Sequence, residues 1–155
     1  MKIRSVRANN RKKVFEVRVG ATVLPYPYSK AQPVAVPEDR VVRVAVDEEL
    51  AREAFVFDLR SGRSGTVHAE QVLEYNRDPS YMRDLLLYRL TLEAQARIAS
   101  SPLSKREIVR RLSTSPAQLY RLLDQTNYAK SVDQMLNLLR VLDCEVDLVV
   151  RARTA

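Results

Sequence analysis

Two side chains near residue 120 can make paired hydrogen bonds with the edge of a planar ring. The Gln118 amide offers a donor beside an acceptor, and the Arg121 guanidinium offers parallel donors. Their spacing of three residues places both on one face of a helix. Together with Ser115 and Ala117 they form a set of hydroxyl, methyl, amide and guanidinium side chains. Side chains of these types read base edges in the major groove, glutamine suiting adenine and arginine suiting guanine or a phosphate.

These four residues lie in a segment that carries the start signals of two short helices. Ser104 and Glu107 fit a capping box for the first helix. Ser115 can cap the second helix, with Pro116 at its first position and Gln118 closing another capping box. The apolar stripes expected to be buried are Ile108, Val109 and Leu112 in the first helix and Leu119, Leu122 and Leu123 in the second. The sequence therefore predicts a helix-turn-helix over residues 103–125.

Basic side chains surround the predicted reading face. We expect phosphate contacts from Lys105, Arg106, Arg110 and Tyr120, which would set the register on a duplex. The whole chain has a net charge of +7, which favours polyanionic partners. Because one such helix covers a half-site, the expected assembly is a homodimer on a two-fold-symmetric site in double-stranded DNA. The contacts between the two copies of the chain would come from a long helix rich in leucine and tyrosine or from the segment Glu145–Val150.

The segment resembles the lambda-repressor-like (Xre) helix-turn-helix family. The matching residues are Leu103, Ser104, Glu107, Ile108, Leu112, Thr114, Ser115, Leu119 and Arg121. Val109 stands where that family usually has alanine, and Ser113 stands where it has a turn glycine, commonly at a positive φ. The resemblance implies a sequence-specific DNA-binding transcriptional regulator that acts as a repressor.

Two weaker resemblances concern the ends of the chain. Residues 142–151 are similar to the closing segment of HigA-type antitoxins, which are autorepressors, although Asp143 stands where glycine is common. The N-terminal region resembles small bacterial β-domains of unknown function, and that likeness implies no activity.

The expected fold class is α+β, with an N-terminal β-rich domain followed by an all-α lambda-repressor-like helix-turn-helix domain. Residues 1–78 form the first domain and residues 79–155 the second.

Alternating apolar positions predict strands at Val14–Val19, Val41–Val46, Ala54–Leu59 and Thr66–His68. Residues 21–40 are predicted to be a proline-rich extended loop, and the acidic residues from Asp47 to Glu53 to begin a short helix. A long helix at about 79–100, a further helix capped by Ser131 and a strand at Glu145–Val150 complete the second domain.

Catalytic and cofactor-binding patterns are absent from the sequence. His68 is the one histidine and Cys144 the one cysteine, which is too small an inventory for a zinc site. Neither a phosphate-binding loop nor a dinucleotide-binding glycine motif occurs. We therefore expect no enzyme activity, no metal and no cofactor. No run of apolar residues is long enough for a membrane span, and no signal-peptide core follows Met1, so the expected location is the cytoplasm.

Two alternatives to transcriptional regulation remain open from the sequence. One is an antitoxin-like protein-interaction module that binds a partner protein, with DNA binding secondary or lost. The other is RNA binding through residues 1–30, which hold eight basic side chains against one acid. Only Phe15, Tyr26 and Tyr28 are aromatic there, too few for a convincing base-stacking platform.

Overall fold

The computed structural model of the chain describes residues 1–153. These residues divide into two compact units, the first spanning Met1–Met82 and the second beginning at Arg83. Each unit has a hydrophobic core of its own.

The first unit contains two three-stranded antiparallel sheets. One sheet has the order β1-β2-β3, with β1 at Ile3–Asn9, β2 at Val14–Val19 and β3 at Thr22–Pro27. A short 3-10 helix, Tyr28–Lys30, follows it. The second sheet has the order β4-β5-β6, with β4 at Val41–Val46, β5 at Ala54–Leu59 and β6 at Ser64–His68. Helix α1, Ala69–Tyr75, comes directly after β6 and places Val72 and Leu73 in the same core.

Aromatic rings from both sheets meet in the core of the first unit. The Phe15 ring on β2 lies 4.9 Å from the Phe55 ring and 5.0 Å from the Phe57 ring, both on β5. A main-chain hydrogen bond also joins β1 to the turn between β4 and β5, because the Ile3 amide donates to the Arg52 carbonyl at 2.7 Å. Buried aromatic pairs add about 0.5–1.5 kcal/mol each beyond the area they bury, so this cluster holds the two sheets together.

All four strands predicted for the N-terminal domain form, and two further strands, β1 and β3, were not predicted. Strand β1 does not show alternation of period 2, because its register with β2 shifts between Ile3 and Ser5. Such a bulge moves the alternation of side chains by one residue. Strand β3 occupies part of the predicted proline-rich loop. It carries Pro25 and Pro27 and lies at the edge of its sheet, where a missing amide donor is tolerated.

The predicted short helix at Asp47–Glu53 is wrong. These residues form consecutive turns between β4 and β5, with Ala51 and Arg52 at positive φ. The Asp47 carboxylate accepts a hydrogen bond from the Leu50 amide at 3.1 Å. Aspartate that bonds to the main chain nearby stabilises a turn as readily as a helix start, which explains the error.

The second unit is built from helices. Helix α2 spans Pro79–Ser100, α3 Lys105–Arg111, α4 Pro116–Leu123 and α5 Val132–Val141. Helix α2 begins where Asp78 accepts the Tyr81 amide at 3.0 Å, a capping contact. The buried residues of this unit are Leu87, Leu90, Ala94, Ile108, Leu119, Leu122, Met135, Leu138 and Leu139.

The fold class predicted from the sequence, a β-rich domain followed by an all-α domain, is wrong. Across residues 1–153 the chain is α+β with two three-stranded antiparallel sheets and five α-helices. Helical segments are interleaved with the strands rather than confined to a separate domain. The 3-10 helix separates the two sheets, α1 packs into the core of the strands, and α2 starts before the first unit ends.

The predicted strand at Glu145–Val150 is also wrong. Within the described part of the chain these residues belong to no sheet or helix, and all six are exposed. The side chains alternate from Glu145 to Leu148, but no neighbouring strand within the described residues supplies the main-chain hydrogen bonds that a strand needs.

Candidate nucleic-acid interface

Helix α3 begins at a serine cap, as predicted. The Ser104 hydroxyl accepts the Glu107 amide at 3.1 Å. The returning half of the predicted capping box does not form, because the Glu107 carboxylate accepts hydrogen bonds from Arg110 and Arg111 instead. Ile108 is completely buried and fixes the inner face of this helix.

The turn between α3 and α4 closes with the hydrogen bonds of a Schellman motif. The Ser113 amide donates to the Arg110 carbonyl at 3.1 Å, and the Thr114 amide donates to the Val109 carbonyl at 3.2 Å. Ser113 has φ +53°, the left-handed conformation in which glycine is usual. Ser113 therefore has a positive φ although it has a Cβ atom, at the position where the resembled helix-turn-helix family has glycine.

Helix α4 separates a buried face from an exposed one. The Ser115 hydroxyl accepts the Gln118 amide at 3.2 Å, and Pro116 occupies the first turn. Leu119 and Leu122 are buried on the inner face. Of the four predicted base-reading residues, Ser115, Ala117 and Arg121 are exposed and Gln118 is half-buried. The structure thus brings these side chains to the accessible side of one short helix.

The carbonyl end of α4 is held by side chains from outside the helix. The Asn127 amide donates to the Arg121 carbonyl at 3.1 Å, and the Gln95 amide donates to the Leu123 carbonyl at 2.7 Å. The Lys130 ammonium donates to the Leu122 carbonyl at 2.8 Å and to the Asp124 carbonyl at 2.9 Å. The last carbonyls of a helix have no partner within it, so these bonds fix the orientation of an eight-residue helix that is too short to be stable alone.

Lys130 is buried at 6 % exposure, and this burial lowers the pKa of its ammonium, although the carboxylate of Asp124 partly opposes the shift. Lys130, Asn127 and Gln134 border a cavity of about 350 Å³ together with Gln118 and Arg121. The roles of Lys130, Asn127 and Gln134 were not predictable, because contacts between a loop side chain and the main chain of a helix leave no periodic signal in the sequence. The one signal in the sequence was that Asn127 and Lys130 lie in the loop that precedes the Ser131 cap.

The predicted phosphate-contacting residues have different surroundings. Lys105 lies over the exposed ring of Tyr120, with its ammonium 5.4 Å from the ring centroid, a cation–π distance. Arg106 borders an apolar cavity of about 240 Å³ with both of them. Arg110 forms a two-pronged ion pair with Glu107, including a Nε–Oε2 distance of 2.9 Å. These residues therefore line the outer side of α3 and its groove with α4.

Glu107 carries the most displaced carboxyl pKa of this surface. Hydrogen bonds from Arg110 first, and from Arg111 second, lower the pKa of Glu107 to about 2. The carboxylate therefore stays charged at neutral pH and cancels part of the positive charge of α3. Counting residues 103–125, five basic side chains and two acids remain, for a net charge of +3.

Across residues 1–153 no group of three or more histidine, cysteine, aspartate or glutamate side chains is placed to hold a metal ion. The main-chain amide of His68 donates a hydrogen bond to the side-chain oxygen of Gln71 at 2.8 Å at the start of α1. Cys144 is half-buried. None of the described helices combines the length and the apolar content needed to cross a membrane.

Comparison with protein-family models, with curated proteins and with solved structures found no match.

Proposed function

We propose that the chain binds double-stranded DNA sequence-specifically through α3 and α4 and acts as a transcriptional regulator, most simply a repressor. One observation carries this proposal. A short capped helix, α4, is fixed at both ends and exposes Ser115, Ala117 and Arg121 opposite a buried leucine face. Exposed polar side chains near the start of the second helix of such a pair are the ones that reach base edges.

The fixed ends of α4 support this proposal energetically. A helix that presents base-reading side chains binds more tightly when it is held in place beforehand, because ordering a mobile segment at the interface costs free energy. Gln95, Asn127 and Lys130 hold α4 in place through hydrogen bonds to its main chain. The guanidinium of Arg121 makes no hydrogen bond or ion pair with the rest of residues 1–153 and is available to a base or a phosphate.

Because α4 covers one half-site, the proposal places two copies of the chain on a two-fold-symmetric site. Lys105, Arg106 and Tyr120 contact the backbone of the duplex on the α3 side and set the register. Arg110 contributes less, because a phosphate would compete with Glu107 for its guanidinium.

The test is selection of binding sites from a random pool of duplex oligonucleotides at two salt concentrations. Wild type is compared with Arg121→Ala and with Arg89→Ala, a control that removes the same charge from the exposed side of α2. We expect enrichment of a two-fold-symmetric motif. Arg121→Ala should weaken binding to that motif by about 1–3 kcal/mol and relax the preference at one base pair; Arg89→Ala should do neither.

The opposite outcome is equally clear. Weak binding that is the same for all sequences and disappears with added salt would show only a basic surface and would overturn the proposal. The antitoxin-like alternative, in which the chain mainly holds a partner protein, would then be the better interpretation. Equal loss on all sequences in Arg121→Ala would make that residue a phosphate contact.

A further inference from the structure

The segment after α5 has the side-chain pattern of a strand but no strand partner. Apolar side chains occupy every even position from Cys144 to Ala152. The odd positions hold acids at 145 and 147, valine at 149 and arginine at 151. The exposed fractions are 88 % for Leu148 and 83 % for Val150. Apart from Val149 the segment alternates, and such alternation with valine and leucine on one face is typical of a half-buried strand. An unpaired segment of this kind is a template for pairing with another chain.

The charges of this segment make it complementary to itself in the antiparallel direction. With Leu148 opposite Leu148 of a second copy, Val146 faces Val150 and Glu145 faces Arg151, and each of these pairs occurs twice. Opposite charges in directly facing positions stabilise a sheet, and like charges destabilise it. A parallel arrangement would place Glu145 against its own copy and is disfavoured for that reason.

Two neighbouring antiparallel registers differ from this one in the pairs they form. Centring the pair on Asp147 would bring two carboxylates together on the axis. Centring it on Val149 would place Asp147 opposite Arg151 and Glu145 opposite Arg153, but it would set Val146 opposite the small Ala152 and would not bring the two copies of Leu148 together. The register centred on Leu148 places the largest side chains of the even face against one another. That face is also continuous with the helical unit, because Cys144 at its start packs against the core of that unit.

We propose that residues 144–152 are the strand through which two copies of this chain associate, in antiparallel register centred on Leu148. This inference rests on the two-fold arrangement of the proposed function and identifies the surface that produces it. Its test uses the full chain without DNA, so that failure of this interface and failure of DNA binding are distinguished. The charge variants and the introduced cysteines alter exposed side chains, and Cys144→Ser exchanges a half-buried thiol for a hydroxyl of similar size.

The first experiment is a charge exchange followed by sedimentation velocity over a range of concentrations. Glu145→Arg places arginine against Arg151, and Arg151→Glu places glutamate against Glu145. Each single variant should raise the dimer dissociation constant by roughly tenfold or more, because two attractive pairs become repulsive. The double variant should restore wild-type association, since the pair is then reversed but complementary. A monomeric wild type, or a dimer indifferent to both single variants, would overturn the proposal.

The second experiment fixes the register by disulfide trapping, with Cys144→Ser removing the native thiol. In that background Leu148→Cys should crosslink into a dimer on mild oxidation, because directly facing residues have Cβ atoms about 4.5–5.5 Å apart. Val146→Cys is the matched control on the same face. Its two copies lie four positions apart along the strands, about 13 Å at 3.3 Å per residue, and should not crosslink. Equal crosslinking of the two variants would contradict the register.

Discussion

Ser113 in the turn between α3 and α4 offers a direct test of how this helix pair is held. The residue has φ +53° and donates its amide to the Arg110 carbonyl at 3.1 Å. A residue with a Cβ atom pays about 1–2 kcal/mol for the left-handed conformation. Replacing the serine with glycine removes that strain while leaving both main-chain hydrogen bonds of the turn in place.

The expected gain is smaller than the strain itself. Glycine has more conformational freedom in the unfolded chain, which costs about 0.5–1 kcal/mol on folding. The difference predicts that Ser113→Gly raises the free energy of unfolding by about 0.5–1 kcal/mol. Ser113→Ala keeps the Cβ atom and therefore keeps the strain, so this matched variant should show no gain.

Urea denaturation followed by far-ultraviolet circular dichroism measures this difference, since most of that signal comes from helices. With a slope of about 1–2 kcal/mol per molar urea, the midpoint of Ser113→Gly should rise by about 0.5 M at an unchanged slope. A midpoint at or below that of wild type would refute the strain argument. A rise of the same size in Ser113→Ala would also refute it, because the cause would then be the hydroxyl and not the backbone.

Two further predictions concern stability. Gly65→Ala should destabilise the first unit by about 3 kcal/mol, the upper end for overpacking, because a Cβ atom there would lie 2.1 Å from the main-chain oxygen of Gln32; thermal unfolding should show a much smaller loss for Gly62→Ala, which meets no atom within 4 Å and strains only the backbone. The pKa of Glu107 is lowered from 4.5 to about 2 by Arg110, so its ion pair stabilises the fold fully above pH 4.5 and is lost as the pH falls towards 2. Glu107→Gln should flatten the pH dependence of unfolding in that window, and an unchanged pH profile would contradict the assignment.

Local signals made most of the helices predictable. The serines at 104, 115 and 131 all cap helices in the structure, and each accepts the amide three residues ahead. The start and end of α2 also follow from the sequence, because Asp78-Pro79 begins it and Pro102 follows its end. Such signals act over three or four residues, which is why they can be read without a structure.

Contacts between distant segments could not be predicted in the same way. Strand β1 was missed because its bulge breaks the alternation. The bonds from Gln95 and Lys130 to the end of α4 join positions 28 and 8 residues apart. They depend on how the helices pack, and a sequence shows only that these side chains have suitable donors. The residue types on the exposed face of α4 were therefore predictable, whereas the hydrogen bonds that hold the helix in place were not.

The aromatic cluster of the first unit has a consequence for the order of events during synthesis. Phe15 emerges from the ribosome well before Phe55 and Phe57, the rings it packs against in the finished core. Until β5 follows, the β1-β2-β3 sheet has an apolar face without a cover, and exposed faces of this kind favour aggregation of nascent chains. The turn Arg11-Lys12-Lys13 between β1 and β2 provides like charges that keep such half-made sheets apart. We therefore expect the positive charge of this turn to limit aggregation of chains that end before β5, independently of any nucleic acid.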